Sequence, residues 1–348
     1  MYQSINVIMK ILFVASKYDY GIPQRGFSYE YFNFYYTLMH MGHECIFFDF
    51  VTLLREHGKE EMNRLLIDTV DLHQPDLMFT VLFQDQIKID TIKKITDSNP
   101  KKIIAFNWFC DDHWRFENFS RYYAPCFSWV STTAQSALLK YQYIGYKNVI
   151  KTQWAANHFL YKKSELPIIH DVSFVGAPHG NRRKIISEVM KSGVDCKVWG
   201  TGWNSNIFYR IMKKLHFVNI KAAEDALNKS RISQEDMIKV FSQSKINLNL
   251  TASSKTRYEE QIKGRTFEVP ACGGFLLTGY ADNLEEYFDI GKEIVCFKDC
   301  NKMIELISYY LKHEKEREEI AEAGYQKTIK EHTYEKRFND IFKIMGLI

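Results

Sequence analysis

The sequence predicts an α/β protein built from two doubly wound domains in tandem, each a parallel sheet covered by helices. Three observations predict it. Short apolar runs alternate with amphipathic stretches from end to end, which is the rhythm of βαβ units. A length of 348 residues suits two domains of roughly 100–200 residues, each able to bury a core. The rhythm pauses over 154–170, a stretch with Pro167 and little periodicity that reads as a linker. The expected boundaries are 1–165 for the first domain, 166–332 for the second and 333–348 for a closing helix.

In the first half, the predicted strands are 11–15, 45–50, 77–81, 103–108 and 127–130. Ser28 suits the N-cap of a helix running to Met41, with Gly42 as its left-handed stop. Further helices are expected over 53–72, 89–95 and 133–144. The second half repeats the pattern, with strands at 172–175, 197–199, 246–250, 275–278 and 294–297. Its helices fall at 182–191, 233–241, 303–312, 314–331 and 334–345. Doubly wound domains bind ligands at the carboxyl ends of their strands, so a cleft between the two is the expected site.

Composition excludes several classes. Hydrophobic residues make up 46% and charged residues 25%, too apolar for a disordered chain. The net charge of +4 argues against duplex nucleic acid as the main ligand. No apolar run reaches the roughly 18 residues of a membrane span. The start lacks the basic flank and long apolar stretch of a signal peptide, and residues 1–8 read as an extension before the first strand. Seven scattered cysteines fit buried thiols in a reducing cytoplasm, the expected location. P-loop, G-x-G-x-x-G, H-E-x-x-H, G-x-S-x-G and Asp-x-Asp motifs are all absent. The missing Asp-x-Asp points away from a divalent ion beside a diphosphate, so no metal or cofactor is expected.

The chemistry-bearing residues cluster over 260–278, E-Q-I-K-G-R-T-F-E-V-P-A-C-G-G-F-L-L-T. Lys263 and Arg265 flank Gly264 before a short helix, and Glu268 lies on its first turns. Bared N–H groups with two cations suit a diphosphate, and the carboxylate one turn on suits vicinal ribose hydroxyls. An ordinary charged helix start, with Glu268 paired to Arg265, accounts for the same residues. In the first half, Asp111, Asp112 and His113 follow a predicted strand and could handle an acceptor hydroxyl. The alternative is a carboxylate that caps the next helix and a solvated histidine. The loop carrying Gly21 and Arg25 follows the first strand and either lines the cleft or is a plain βα connection. His40 and His43 straddle a helix end, better explained by a charged terminus than by a metal. The segment 204–217 is amphipathic and basic; it packs on its own domain or rests peripherally on the inner face of an anionic membrane.

The run K-G-R-T-F-E-V-P-A-C-G-G-F-L-L-T, followed by N-L-E-E-Y-F-D-I-G-K-E-I-V-C-F-K-D, resembles the carboxyl-terminal domain of the spore-maturation, CgeB-type glycosyltransferases. The similarity continues at S-F-V-G-A-P-H-G-N-R-R, K-V-W-G-T-G-W and K-I-N-L-N-L, and more loosely at R-G-F-S-Y-E and N-W-F-C-D-D. Those enzymes are related to the group-1 transferases of the GT-B fold, two Rossmann-like domains. The resemblance implies sugar transfer from a nucleotide-sugar donor held by the second domain, as in polysaccharide biosynthesis. The acceptor it implies is a glycan, a lipid-linked glycan or a protein, bound by the first domain. It implies that the last helix crosses back to the first domain. It places Glu268 on the donor ribose and Lys263, Arg265, Thr266 and Arg182 around the diphosphate. Gly176 and Gly200 would let backbone approach the nucleotide. Glu260, eight positions before Glu268, is similar to the first of the paired glutamates in the retaining enzymes. The intervening Q-I-K-G-R-T-F replaces their small, Gly-rich loop. A nucleotide-sugar epimerase and a non-catalytic nucleotide- or carbohydrate-binding scaffold are the alternatives, since one fold hosts many functions.

Overall fold

The computed structural model describes residues 7–98, 103–203, 231–252, 260–281 and 283–348. The chain divides into two compact units, residues 1–159 with 334–348, and residues 160–333. The amphipathic segment 204–217 lies outside the described residues.

In the first unit, β1 (Lys10–Ala15), β2 (Glu44–Asp49), β3 (Leu77–Thr80), β4 (Ile104–Phe109), β5 (Trp129–Thr132) and β6 (Val149–Lys151) form one sheet in the order β2-β1-β3-β4-β5-β6. Every pairing is parallel. β1 and β3 are buried along nearly their whole length, as strands covered on both faces must be. Alternate residues feed two separate cores. Leu12, Val14 and Met78 enter one, and Ile11, Phe13, Leu77 and Phe79 the other, because side chains alternate across a sheet.

The helices of this unit are α1 (Tyr36–His40), α2 (Phe50–His73), α3 (Ile89–Ser98), α4 (Asp112–Arg115), α5 (Arg121–Tyr123) and α6 (Ala137–Tyr143). Ser28 caps as expected: its hydroxyl accepts the Tyr31 N–H at 3.0 Å. The turn that follows, Tyr31–Tyr35, is a π-helix rather than α. Gly42 takes φ +88° and ends the segment. The single helix expected over 53–72 starts earlier, with the Asp49 carboxylate accepting the Thr52 N–H at 3.3 Å. It also breaks at Gly58, whose φ of 81° and ψ of 172° are closed to other residues. The helix expected from residue 133 begins only at Ala137, because the Thr133 hydroxyl is tied to the Cys110 carbonyl at 3.1 Å. The strand expected at 127–130 lies two residues on, at β5. The three-residue β6 is too short to show a pattern in the sequence and was not expected.

In the second unit, β7 (His170–Val175), β8 (Cys196–Trp199), β9 (Ser244–Asn249), β10 (Leu276–Gly279) and β11 (Val295–Phe297) form a sheet ordered β11-β10-β9-β7-β8. These pairings are parallel too. Among the described residues, the α-helices are α7 (Arg182–Lys191), α8 (Gln234–Ser242), α9 (Arg265–Ala271), α10 (Cys300–Tyr310) and α11 (Glu314–Glu331). β8 lies on one side of β7, and β9, β10 and β11 on the other. That reversal opens a crevice outside the carboxyl ends of β7 and β9, where α/β sheets hold ligands.

The last helix, α12 (Tyr334–Ile344), groups with the first unit. Tyr334, Phe338 and Phe342 enter its second core. The Phe338 ring meets Phe34 and Phe79 at 5.5 Å each and Trp108 at 6.3 Å. The Tyr334 hydroxyl pairs with that of Tyr29 at 2.8 Å. Emptying a fully buried aromatic site leaves a cavity, so Phe338→Ala should lower the stability of this unit by about 3–5 kcal/mol, read from urea unfolding.

Candidate active site

The carboxyl ends of β7, β8, β9 and β10 bring most of the singled-out residues of the second half together. After β7 the chain turns at Gly176 and enters α7 with Arg182. That guanidinium donates to the Leu250 carbonyl at 2.8 Å and the Ala177 carbonyl at 3.1 Å. Leu250 directly follows β9, so Arg182 ties the two strands that flank the crevice. Its Nε has no partner among the described residues. Burial and the neighbouring Arg265 pull the Arg182 guanidinium down to about 10, against the opposing pull of Glu260. Burial, with Arg182 and Lys263 beside it, likewise lowers His179. Four basic side chains and Glu260 thus share one electrostatic neighbourhood.

Backbone packing at this edge demands glycine. Gly200 follows β8 with φ +140°, and a Cβ there would lie 2.4 Å from the Gly176 carbonyl oxygen. The Trp203 indole N–H donates to that same oxygen at 2.7 Å.

α9 begins at Arg265, and its first turns hold Glu268 with no exposed surface. One Glu268 oxygen pairs with the Arg265 guanidinium, three residues back on the helix. The other, Oε1, is buried and has no hydrogen-bond partner among the described residues. Lys263 donates to the Gln261 side-chain oxygen at 2.6 Å. Glu260 accepts the Thr251 hydroxyl, which fixes its carboxylate beside the end of β9.

One expectation for this segment is corrected. The N–H groups of α9 are not bare: Thr266 donates to Lys263 at 2.9 Å, and Phe267 and Glu268 donate to the Gly264 carbonyl at 2.9 and 3.0 Å. The tight first turn occupies these three, which leaves an anion here to rest mainly on side-chain cations. Thr266 is buried, with Asn249 Nδ2 at 3.4 Å from its hydroxyl oxygen.

In the first unit, Asp111, Asp112 and His113 follow β4 at its carboxyl end. Asp112 is corrected as well: it is buried, and its oxygens accept Ser120 Oγ at 2.5 Å and Tyr141 OH at 2.8 Å. It anchors α4 from inside. Burial raises its carboxyl although these hydroxyls oppose the shift. Asp111 and His113 keep access to solvent. Gly21 needs its positive φ of +70°, and a Cβ there would strike Val51 at 2.3 Å. Arg25 lies over the Tyr20 ring at 5.7 Å. Charges on Arg25, Glu30 and Asp111 all act on the Tyr20 hydroxyl, which places this loop beside Asp111. Glu30 was not singled out. It is half-buried; burial pushes its carboxyl up, and Asp19 and Asp111 add to that. Its signal in the sequence was its place two residues after the Ser28 cap, on the helix leaving β1.

His40 Nδ1 lies 2.7 Å from the Tyr36 carbonyl, and His43 takes the Met9 N–H at 3.3 Å, so both serve the backbone. Among the described residues, no group of three or more His, Cys, Asp or Glu could hold a metal ion, and no helix is long and apolar enough to cross a membrane.

Comparison with known proteins follows the same lines. Residues 182–343 match the family described as glycosyl transferase-like. The solved structure of Anabaena Alr3699/HepE with UDP and glucose superposes with a TM-score of 0.62 at 13% identity, covering 98% of this chain and all of that one. Sucrose-phosphate synthase from Thermosynechococcus elongatus gives a TM-score of 0.62 at 10% identity, over 97% of this chain and 99% of its own. A segment of that family, set on two Rossmann-like units, defines a glycosyltransferase of GT-B architecture. The spore protein CgeB of Bacillus subtilis (strain 168) is 24% identical over 339 residues, 94% of this chain and 96% of that protein. The chain is thus similar to the glycosyl transferase-like family over 182–343 and to the CgeB protein along nearly its whole length.

The two acids of the first unit should separate in a variant pair. Asp112→Ala leaves two buried hydroxyls without their acceptor and should cost about 1–3 kcal/mol in chemical unfolding. Asp111→Ala should change stability by no more than about 0.5 kcal/mol.

Proposed function

We propose that the second unit binds a nucleotide-sugar donor, uridine-based as in the HepE complexes, and transfers its sugar to a glycan acceptor without a metal. The observation that carries this reading is Glu268: a carboxylate with no exposed surface, one oxygen on Arg265 and the other without a partner among the described residues. A buried acceptor oxygen of this kind is costly unless a ligand donates to it, and ribose hydroxyls would do so. Lys263, Arg265 and Arg182 then take the diphosphate. Negative charge develops on that group as the glycosidic bond breaks, and fixed cations in a partly dry site stabilise it. Glu260 faces the transferred sugar, and its position eight residues before Glu268 supports retention of anomeric configuration. In the first unit, Asp111 and His113 orient the acceptor hydroxyl. The family match favours transfer over epimerisation or simple binding. A cytoplasmic enzyme of polysaccharide biosynthesis, peripheral at a membrane where its acceptor is lipid-linked, fits this chemistry.

Calorimetric titration with UDP, GDP, CMP and ADP, with and without EDTA, tests the donor site. UDP should bind in the micromolar range and ignore EDTA. Glu268→Ala should weaken it by about tenfold to a few hundredfold, the worth of one or two charge-assisted bonds. Unchanged affinity in that variant would remove the ribose assignment. NMR of the product anomer decides the stereochemistry: an inverted linkage would overturn the retaining role of Glu260.

A further inference from the structure

A cavity opens in the same unit, with Glu260 but not Glu268 among its lining residues. Its volume is about 570 Å³, within the range of small-molecule sites. α7 and α10 wall it, and the ends of β9, β10 and β11 form its floor. None of the phosphate cations lines it.

The lining discriminates among ligand classes. Lys184 and Lys298 stand against Glu188, Glu260 and Asp299, so the formal charge is close to balanced and slightly negative. A second nucleotide, with its phosphates, would meet net repulsion here. The N-terminus of α10 offers no phosphate seat either, because the Asp299 carboxylate already accepts the Lys302 N–H at 2.8 Å. Ile185, Phe297 and Ile304 give the cavity apolar walls, and Asn181 and Asn301 bring carboxamides to its rim. The Asn181 side chain makes no capping bond to α7. Tyr280 is held at the mouth by its hydroxyl bond to Glu285 at 2.9 Å, with Lys298 over its ring. Apolar walls for C–H faces, amides and carboxylates for hydroxyls, and little net charge describe a site for a neutral polyol. The backbone supports the opening: at Gly279 a Cβ would lie 2.4 Å from the Thr251 hydroxyl oxygen.

We propose that this cavity is a saccharide-binding subsite, holding an uncharged sugar ring of the acceptor or product glycan beside Glu260. The proposal rests on the glycosyltransferase reading of the unit and adds a subsite that shares Glu260 with the donor's.

The test is saturation-transfer difference NMR on the full chain with maltotriose, cellotriose and chitotriose at millimolar concentration, alongside UDP titration. At least one trisaccharide should show transfer to its ring protons. Ile304→Trp, which fills the cavity from a half-exposed position, should abolish that signal while leaving UDP affinity within twofold. Asn301→Ala is the milder check and should weaken the saccharide by about three- to tenfold, a hydrogen bond's worth. No signal from any trisaccharide, or a signal that survives Ile304→Trp, overturns the subsite. Loss of UDP binding in the unmodified chain would instead strike the donor reading, so the two failures are distinguishable.

Discussion

Taking a carboxylate wholly out of water costs several kcal/mol unless another charge and hydrogen bonds meet it. Glu268 has no exposed surface, and Arg265 supplies only half of what it needs. That constraint organises the second unit. Arg265 stands three residues earlier, at the first residue of α9, and the turn there bonds back onto Lys263 and Gly264. The tight turn in turn holds Thr266 down against Asn249 and leaves Lys263 and Arg265 grouped with Arg182. A purely structural ion pair would not need its second oxygen buried and unmet. An unmet acceptor beside grouped cations is the signature of a site whose ligand completes the hydrogen bonding.

The parallel sheet supplies the framework for that arrangement. Arg182 reaches the pocket only because β7 and β9 are neighbours although far apart in sequence, and its guanidinium bonds to the carbonyl that follows β9. Gly176 and Gly200 let the turns after β7 and β8 approach more closely than any side chain would permit. These contacts sit at the carboxyl ends of adjacent strands, so one edge of the sheet carries the cations, the close backbone and both glutamates.

Much of this was legible in the sequence, for identifiable reasons. Strands buried on both faces read as nearly continuous apolar runs, so β1, β3, β4 and β10 were visible, while β7 (HDVSFV) and β9 (SKINLN) showed as apolar–polar alternation. The Ser28 cap, the Gly42 stop and the grouping of Lys263, Arg265 and Glu268 follow from local chemistry. What escaped depended on partners distant in sequence. β6 exists because β5 pairs with it, not because three residues form a pattern. Asp112 and Asp111 look alike in sequence, yet one is bonded to Ser120 and Tyr141 in the interior and the other stays partly exposed. The occupied N–H groups of α9 could not be foreseen, since an α start and a tighter turn share the same residues. The cavity lined by Glu260 was invisible because its walls come from helices more than a hundred residues apart.

The two acids Asp112 and Glu268 show why burial alone does not identify a functional group. Both are almost fully enclosed. Hydroxyl donors from α6 and from the turn before α5 surround Asp112, so its unit is complete without a ligand. Glu268 is enclosed with one oxygen unmet among the described residues. The same carboxylate chemistry serves architecture in one unit and recognition in the other, and the number of donors the fold itself supplies decides which. By that criterion Glu260 stands between them. Among the described residues it has one side-chain donor, Thr251, and it also lines the cavity proposed for a second sugar.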